Sequence, residues 1–240
     1  MSSIRPDSGE EAPTGARANI VQLRDLLGQR FPGARLGLAE KPISRPCIAT
    51  GLPQIDSLLQ GGLGRGAVTE LVNSPAHTGG ALVLRRLIRM AVQHRRRVAL
   101  IDGSDGFDPG AFTNELLEWL VWVRCRDAAQ ALKAADLVLR DGNLPLVLLD
   151  LHHNAASQLR KIPGTTWYRL QRIIEPTPTA LLVVTPHALV SGGEARLAVV
   201  NEFTFESWQH TEEELVMRMK FVLERFGAGE ARKPMVMEAS

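Results

Sequence analysis

The feature that most constrains the fold is a series of short, almost wholly apolar segments that alternate with amphipathic ones. The segments RVALID (97–102), PLVLLDL (145–151) and ALLVVT (180–185) have the composition of strands buried on both faces. Between them, ALVLRRLIRMAVQH (81–94) and DAAQALKAADLVLRDG (127–142) have helical periodicity. This alternation predicts an α/β fold with a mainly parallel central sheet and helices on both of its faces.

Weaker signals complete the predicted order of elements. AVTELV (67–72) and LVWVRC (120–125) are predicted strands, and 194–208 is predicted to be a strand or one arm of a hairpin. Helices are predicted at 108–119 and around 165–175. The chain contains no internal repeat.

Composition shifts suggest flanking segments on both sides of this domain. The first is rich in Ser, Pro, Gly and Glu and is predicted to be disordered. The next contains a short amphipathic helix at 18–31, which either packs on the domain or docks onto a partner. The predicted organisation is a disordered N-terminus at 1–17, a helix and linker at 18–47, the α/β domain at 48–210, and an amphipathic helix ending at Gly227 within a C-terminal segment at 211–240.

Composition places the chain in the class of soluble proteins. It has 240 residues, of which 45% are hydrophobic, and a net charge of +2, which is too small to indicate nucleic-acid binding. Cys47 and Cys125 lack the spacing of a metal site or of a disulfide framework. The chain lacks a signal-peptide pattern and a stretch long enough to span a membrane, so we expect a cytoplasmic protein without membrane contact.

The junction between the strand at 67–72 and the helix at 81–94 is where a phosphate-binding loop would lie. Such a loop uses glycines to bring backbone N–H groups to the phosphates, a Lys for the outer phosphates and a Ser or Thr for magnesium. The junction here reads NSPAHTGGAL (73–82) and has no Lys, nor has the helix that follows. We favour a structural turn; the alternative is an atypical loop in which Gly79-Gly80 and the helix N-terminus attract an anion.

Carboxylates follow two of the predicted strands. Asp150 ends one of them, which is the pattern that places a carboxylate near magnesium in P-loop NTPases. Asp102 ends another and is followed by Asp105 and by Asp108, which precedes Pro109 and is a predicted helix N-cap. An Asp at a strand end is also a common turn residue, so this signal alone does not specify a magnesium site.

Several of these segments together resemble the RecA-like family. They are ATGLPQIDSLLQGGLGRGAVTEL, VALIDGSDGFDP and ALKAADLVLRDGNLPLVLLDL, in the family's order and spacing. The resemblance puts Gly79 at the position of the Lys, Gly80 at that of the magnesium-binding Thr and Ser104 at that of the catalytic Glu. It implies a vestigial nucleotide site formed by Gly79, Gly80, Asp102 and Asp150, with no catalytic residue and no cofactor; ATP with magnesium is not favoured.

The departures from the family pattern are similar to those of the ImuA branch and of its SulA-like relatives. WVRCRDAAQALKAADLVLRDG resembles ImuA especially closely. This resemblance implies a non-catalytic accessory role in the SOS response and in error-prone translesion synthesis, with RecA or an ImuB-like translesion polymerase complex as partner. The alternatives are an ATP-binding, DNA-dependent ATPase or recombinase with an atypical loop, and a SulA-like inhibitor of cell division. The long segment 48–72 favours ImuA over the shorter inhibitor.

Histidines and basic residues suggest two further sites. His77, His152 and His153 could bind a metal, but adjacent residues on a strand end point to opposite faces, so we expect no metal site. Basic residues on two helices and beside Trp167 and Tyr168 suit contacts with single-stranded DNA, although solvated or packed helix faces explain them equally well. The candidate DNA contacts are Arg85, Arg86, Arg89, Arg160, Lys161, Arg169 and Arg172.

Overall fold

The computed structural model describes residues 46–74, 79–201, 203, 207 and 209–227, and the backbone of 235–236. The chain divides into two compact units, Met1–Ser44 and Arg45–Ser240, and every described residue belongs to the second. The predicted disordered N-terminus, the helix at 18–31, nearly all of the linker, His77 and most of the C-terminal tail lie outside the described residues.

Eight strands of the described chain form one sheet, and two short strands form a separate antiparallel ribbon. The strands are β1 (Cys47–Ile48), β2 (Leu63–Gly64), β3 (Ala67–Val72), β4 (Val98–Asp102), β5 (Leu120–Arg124), β6 (Leu146–Asp150), β7 (Ala180–Thr185), β8 (Ala195–Val199), β9 (Phe221–Phe226) and β10 (Met235–Val236).

The large sheet is mainly parallel, as the apolar segments predict. Its order is β10-β9-β8-β3-β7-β6-β4-β5, with parallel pairing from β8 through β5 and antiparallel pairing of β9 with β8 and of β10 with β9. Every residue of β3, β4 and β7 is buried. The parallel strands therefore end at one common edge, which we call the carboxyl edge.

Helices cover both faces of this sheet, and their bounds follow from local signals. The long helix before β6 is capped at its N-terminus by Asp127, whose side chain accepts a hydrogen bond from the Gln130 N–H, and at its C-terminus by Gly142 in the left-handed conformation. The helices are α1 (Pro53–Leu58), α2 (Gly80–Gln93), α3 (Asn114–Leu117), α4 (Ala128–Asp141), α5 (Ala156–Leu159), α6 (Gly164–Ile174) and α7 (Glu212–Met217).

Each face of the sheet has its own hydrophobic core. The apolar sides of α1 and α2 pack on one face, where Val216 of α7 joins them. The apolar sides of α4 and α6, including the fully buried Trp167, pack on the other. This arrangement confirms the predicted α/β class with helices on both faces. Within the described ranges, every helix is too short or too polar to cross a lipid bilayer.

The prediction of a C-terminal helix that continues to Gly227 was wrong beyond its first turns. Helix α7 ends at Met217, and the following residues form β9, which pairs antiparallel with β8. The apolar residues Val222 and Phe226, four positions apart, fit either element. The unpaired edge of β8 decides the outcome, because β9 supplies hydrogen-bond partners that a helix could not.

The predicted helix at 108–119 is also shorter than expected. Asp108 caps a 3-10 turn at Pro109–Ala111, as predicted for an N-cap, and accepts the Gly110 N–H at 2.9 Å. Phe112 then adopts an extended backbone and packs against Phe107, with ring centroids 5.0 Å apart. Packing of this partly buried aromatic ring against the core outweighs helix propensity, so only α3 is helical beyond it.

Candidate functional site at the carboxyl edge

A cavity of about 270 Å³ lies at the carboxyl edge, between the ends of β3, β6 and β7 and the first turns of α2. Its lining comes from the ends of these strands, from the first turns of α2 and from the loop after β4. In open α/β sheets, ligands bind outside the carboxyl ends of the strands. The cavity is therefore the first place to look for a site.

The start of α2 is built from two glycines at which an added side chain would meet close contacts. Gly79 has φ = +124°, and a β-carbon there would lie 2.8 Å from the Met219 methyl group. A β-carbon on Gly80 would lie 2.6 Å from Nδ2 of Asn73. A side chain at position 79 would therefore be strained, and one at position 80 would collide with Asn73.

The Asp102 carboxylate is hydrogen-bonded to the backbone of the loop that follows β4. Its Oδ1 accepts the N–H groups of Ser104 and Gly106 at 3.3 and 3.0 Å, and its Oδ2 accepts that of Phe107 at 2.8 Å. The residue is only 2% exposed. Asp102 therefore closes the turn after β4, a structural role that a strand-ending Asp commonly has.

Asp150 does line the cavity. It lies beside Asp102 in the register of β6 and β4, and its Oδ1 accepts the His152 N–H at 2.9 Å. Burial raises the pKa of the Asp150 carboxyl, and the nearby Asp102 charge adds to this effect. Of the two carboxylates predicted from the sequence, the structure brings only Asp150 to the cavity.

The two histidines after β6 contact each other. The rings of His152 and His153 meet edge to face, with centroids 4.5 Å apart. Burial lowers the pKa of His152, and the neighbouring His153 lowers it further. Among the described residues, His, Cys, Asp and Glu side chains form no group of 3 that could hold a metal ion.

Asn73 is a residue of the site that the sequence analysis missed. It directly follows β3 and is 5% exposed, and its Nδ2 lies 3.3 Å from Nε2 of His152. Its Oδ1 has no hydrogen-bond partner in the described chain. A polar residue at the end of a buried strand is the signal that could have identified it.

The candidate DNA contacts on α2 are already paired within the protein. Nε of Arg85 lies 3.0 Å from Glu212, and Nη2 of Arg89 lies 3.3 Å from the same carboxylate. Nε of Arg86 donates to the Gly51 carbonyl at 3.1 Å. Helix α7 therefore neutralises much of the positive charge at the start of α2.

The other candidate contacts lie elsewhere. Arg169 on α6 pairs with Asp136 of α4 at 3.2 Å. Arg160, Lys161 and Arg172 are exposed and form no ion pair with another residue of the described ranges. The structure thus separates the seven predicted residues into a paired group and a group of three available cations.

Glu70 lies in the middle of β3, and the sequence analysis did not single it out. It is fully buried, and its Oε1 accepts the N–H groups of Leu189 and Val190 at 2.6 and 3.0 Å. Its Oε2 pairs with Nε of Arg196. The connection from β7 to β8 passes β3, which lies between these two strands in the sheet. Glu70 accepts hydrogen bonds from N–H groups of this connection that would otherwise be buried without partners.

Comparison with solved structures finds a similar fold. The RadB recombinase has 15% sequence identity to this chain and a TM-score of 0.54, with 78% of this chain and 94% of that chain covered. The fold is RecA-like. At this identity the likeness establishes the fold alone. No family model matches the sequence, and no curated protein matches it.

RecA-like proteins that bind magnesium nucleotides need a cation for the phosphates and a hydroxyl for the metal. At the carboxyl edge, the backbone of Gly79 disfavours a Lys, and Asn73 takes the space of a side chain at position 80. Asp102 is committed to three backbone N–H groups. The described residues of this edge do not fit a magnesium triphosphate.

Proposed function

We propose that this chain is a non-catalytic RecA-like accessory protein of the DNA-damage response, which acts in error-prone translesion synthesis as ImuA-like proteins do. The observation that supports the non-catalytic part is the contact between Asn73 and the space above Gly80. Phosphoryl transfer depends on positioned cations and metal ligands, whereas position 80 carries no side chain and a β-carbon added there would displace Asn73. The accessory role itself rests on the resemblance of the sequence to the ImuA branch.

A titration with a fluorescent ATP analogue and magnesium tests the first part, with and without single-stranded DNA. We expect no saturable binding and no DNA-stimulated hydrolysis. A cooperative thermal unfolding transition of the same sample serves as the control for folding. Saturable micromolar binding would contradict the proposal.

A DNA-dependent ATPase or recombinase is the second candidate. Two observations favour it: a cavity of about 270 Å³ at the carboxyl edge, with Asp150 in its lining, and the similarity of the fold to a recombinase. It predicts both binding and hydrolysis in the titration above. The two candidates therefore give opposite results in one experiment.

Pull-down with RecA and with an ImuB-like translesion polymerase tests the accessory role. Exposed apolar side chains are natural sites for disrupting an interface. Met217 of α7 is 63% exposed and Leu137 of α4 is 70% exposed. The two helices pack on opposite faces of the sheet, so Met217→Glu and Leu137→Glu form a matched pair that assigns a partner to one face. Failure of the parent chain to bind either protein would contradict the accessory role.

Direct contact with single-stranded DNA is a separate part of the proposal. It rests on the exposed cations Arg160, Lys161 and Arg172. Reversing the charge of all three should weaken binding to an oligonucleotide and reduce its dependence on salt. Reversal of Lys133 on α4, also exposed, is the control for a general change of charge.

A further inference from the structure

A second cavity, of about 230 Å³, lies at the edge of the sheet where the parallel strands begin, which we call the amino edge. It is bordered by β1, by the C-terminal turns of α2 and by the start of β6. The carboxyl edge is at the opposite end of the same strands, and the described linings of the two cavities share no residue. A ligand at the amino edge would therefore occupy a site of its own.

Much of the lining of this cavity is aliphatic. Leu87 and Ala91 of α2 and Leu146 of β6 belong to the hydrophobic core on this face, and Ile48 and Met90 are half-buried. Phe, Tyr and Trp are absent from the described lining, so a nucleic-acid base would find no ring to stack on. A cavity of ~150 Å³ holds one benzene ring, so this one has room for an aliphatic group of about six carbon atoms and a polar head.

The charged residues of the lining are all basic. They are Arg65, His94 and Arg96, and the described lining contains no Asp or Glu. Neither arginine forms an ion pair with another residue of the described ranges. A cleft that combines charge of one sign with apolar walls concentrates ligands of the opposite sign. The cavity therefore favours an anion with an aliphatic part.

Local structure holds both arginines at the cavity. Nη1 of Arg65 donates to the Pro178 carbonyl at 3.0 Å, which fixes the guanidinium and leaves further N–H groups able to bind a ligand. The Arg96 N–H donates to the Ala91 carbonyl at 2.8 Å and so closes the end of α2. Arg95, the residue before it, has φ = +53°, a conformation that favours glycine. This turn fixes the backbone of Arg96 beside the aliphatic lining.

We propose that this cavity binds an aliphatic carboxylate, whose charged group pairs with Arg65 and Arg96 and whose hydrocarbon part lies against Leu87, Met90 and Leu146. This inference goes beyond the accessory role, which does not require it. Burial of the hydrocarbon supplies affinity, and the ion pairs supply orientation and selectivity for a negative charge. The carboxylate can come from a free carboxylic acid or from the C-terminus of a chain that ends in Leu.

Isothermal titration of the full chain with octanoate, butanoate and 1-octanol tests the proposal. We expect saturable binding of octanoate with a Kd below about 1 mM. Butanoate should bind at least about tenfold more weakly because it buries less hydrocarbon, and 1-octanol at least about tenfold more weakly because it has no charge. Failure of octanoate to bind, or an equal affinity for either of the other compounds, would overturn the proposal.

A pair of peptides distinguishes the two sources of the carboxylate. Both are short and end in Leu, one with a free carboxylate and one with a C-terminal amide. Tighter binding of the free peptide than of octanoate, lost in the amide, would identify a chain terminus as the ligand. Binding of octanoate and of neither peptide would identify a free carboxylic acid.

The two cysteines of the chain report on occupancy of the cavity. Cys47 belongs to the lining and is exposed, whereas Cys125 is buried on the other face of the sheet. Saturating octanoate should slow the alkylation of Cys47 by N-ethylmaleimide and leave that of Cys125 unchanged. An unchanged rate at Cys47 would place the bound octanoate elsewhere and overturn the assignment.

Two variants with matched controls locate the site. Ala49 is exposed at the cavity, so Ala49→Trp should fill the space and abolish octanoate binding, whereas Ala129→Trp on the exposed side of α4 should not. Arg96→Glu should weaken binding at least about tenfold by repelling the carboxylate. Arg97→Glu, at an exposed position outside the lining, should change it little. Parent-like affinity in either Ala49→Trp or Arg96→Glu would overturn the assignment to this cavity.

Discussion

Nδ2 of Asn73 lies 2.6 Å from the point that a β-carbon on Gly80 would occupy, so the two residues are sterically coupled. Asn73 directly follows β3 and Gly80 begins α2, and these two elements flank a nucleotide loop in P-loop proteins. Because Asn73 occupies this space, the residue at position 80 has room for no larger side chain than that of glycine unless Asn73 moves. Restoring a loop motif would therefore require changes on both sides of the junction.

We predict that Gly80→Ala lowers the free energy of unfolding by about 1–3 kcal/mol, because the methyl group overpacks against Asn73. The cost should shrink in the Asn73→Ala background, which a double-mutant cycle by urea unfolding measures. Gly164→Ala on α6 is the control, since a β-carbon there lies 3.4 Å from Oγ of Ser191. An equal cost of Gly80→Ala in both backgrounds would contradict the steric explanation.

Removing the charge of Glu70 should be strongly destabilising. Glu70→Gln leaves Arg196 without its carboxylate under the connection to β8. Loss of one partner of a buried pair costs about 3–5 kcal/mol, and we expect the lower end because the Arg196 side chain is 20% exposed. Urea unfolding measures the change. Asp105→Asn, in the exposed pair with Arg124, should leave the midpoint nearly unchanged, and an equal effect of both changes would refute the special role of Glu70.

The pKa of Asp150, raised by burial, predicts a specific dependence of stability on pH. A raised pKa means that the folded chain holds the proton more tightly than the unfolded chain. The contribution of Asp150 to stability is therefore greatest below its ordinary pKa of 3.8 and is lost as the pH rises through the folded value. Asp150→Asn keeps an acceptor for the His152 N–H but cannot ionise.

The stability of Asp150→Asn relative to the parent chain should therefore increase as the pH rises through this window and then level off. Urea unfolding at pH values from about 4 to about 8 measures this difference. Asp141→Asn controls for removal of a surface carboxylate. A difference that falls with rising pH would have the wrong sign for a desolvated Asp150.

The ion pairs of Glu212 predict an effect on DNA binding. Glu212→Gln removes the carboxylate that Arg85 and Arg89 share, so both arginines gain net positive charge towards solvent. If α2 belongs to the DNA-binding surface of the protein, the affinity for labelled single-stranded DNA and the salt dependence of this affinity should both increase. Fluorescence anisotropy at two salt concentrations measures the change.

Glu213→Gln is the matched control, because Glu213 is 67% exposed and only approaches Arg89, at 3.7 Å. Equal DNA binding in Glu212→Gln and Glu213→Gln would show that Arg85 and Arg89 do not belong to the DNA-binding surface of the protein. Deletion of residues 211–240 is less informative, because it removes β9 and should destabilise the sheet at β8.

The sequence alone was sufficient for the α/β class and for the buried parallel strands. The segments that became β4, β6 and β7 are apolar on both faces, a pattern that depends on burial and hardly on which neighbours are present. Similarly, Asp127 and Gly142 bound α4 through hydrogen bonding and backbone conformation within the segment itself. Such elements can be predicted because their determinants are local.

Only the tertiary structure decided what the side chains at the carboxyl edge do. Asp102 and Asp150 have the same position at the end of a strand, yet one closes a turn and the other lines a cavity. The residues after α7 form a strand because they pair with the edge of β8. Arg85 is neutralised because Glu212 of α7 lies beside it. In each case the outcome depends on hydrogen bonds and charge pairs between segments far apart in the chain. Local sequence patterns do not predict which distant segments come into contact.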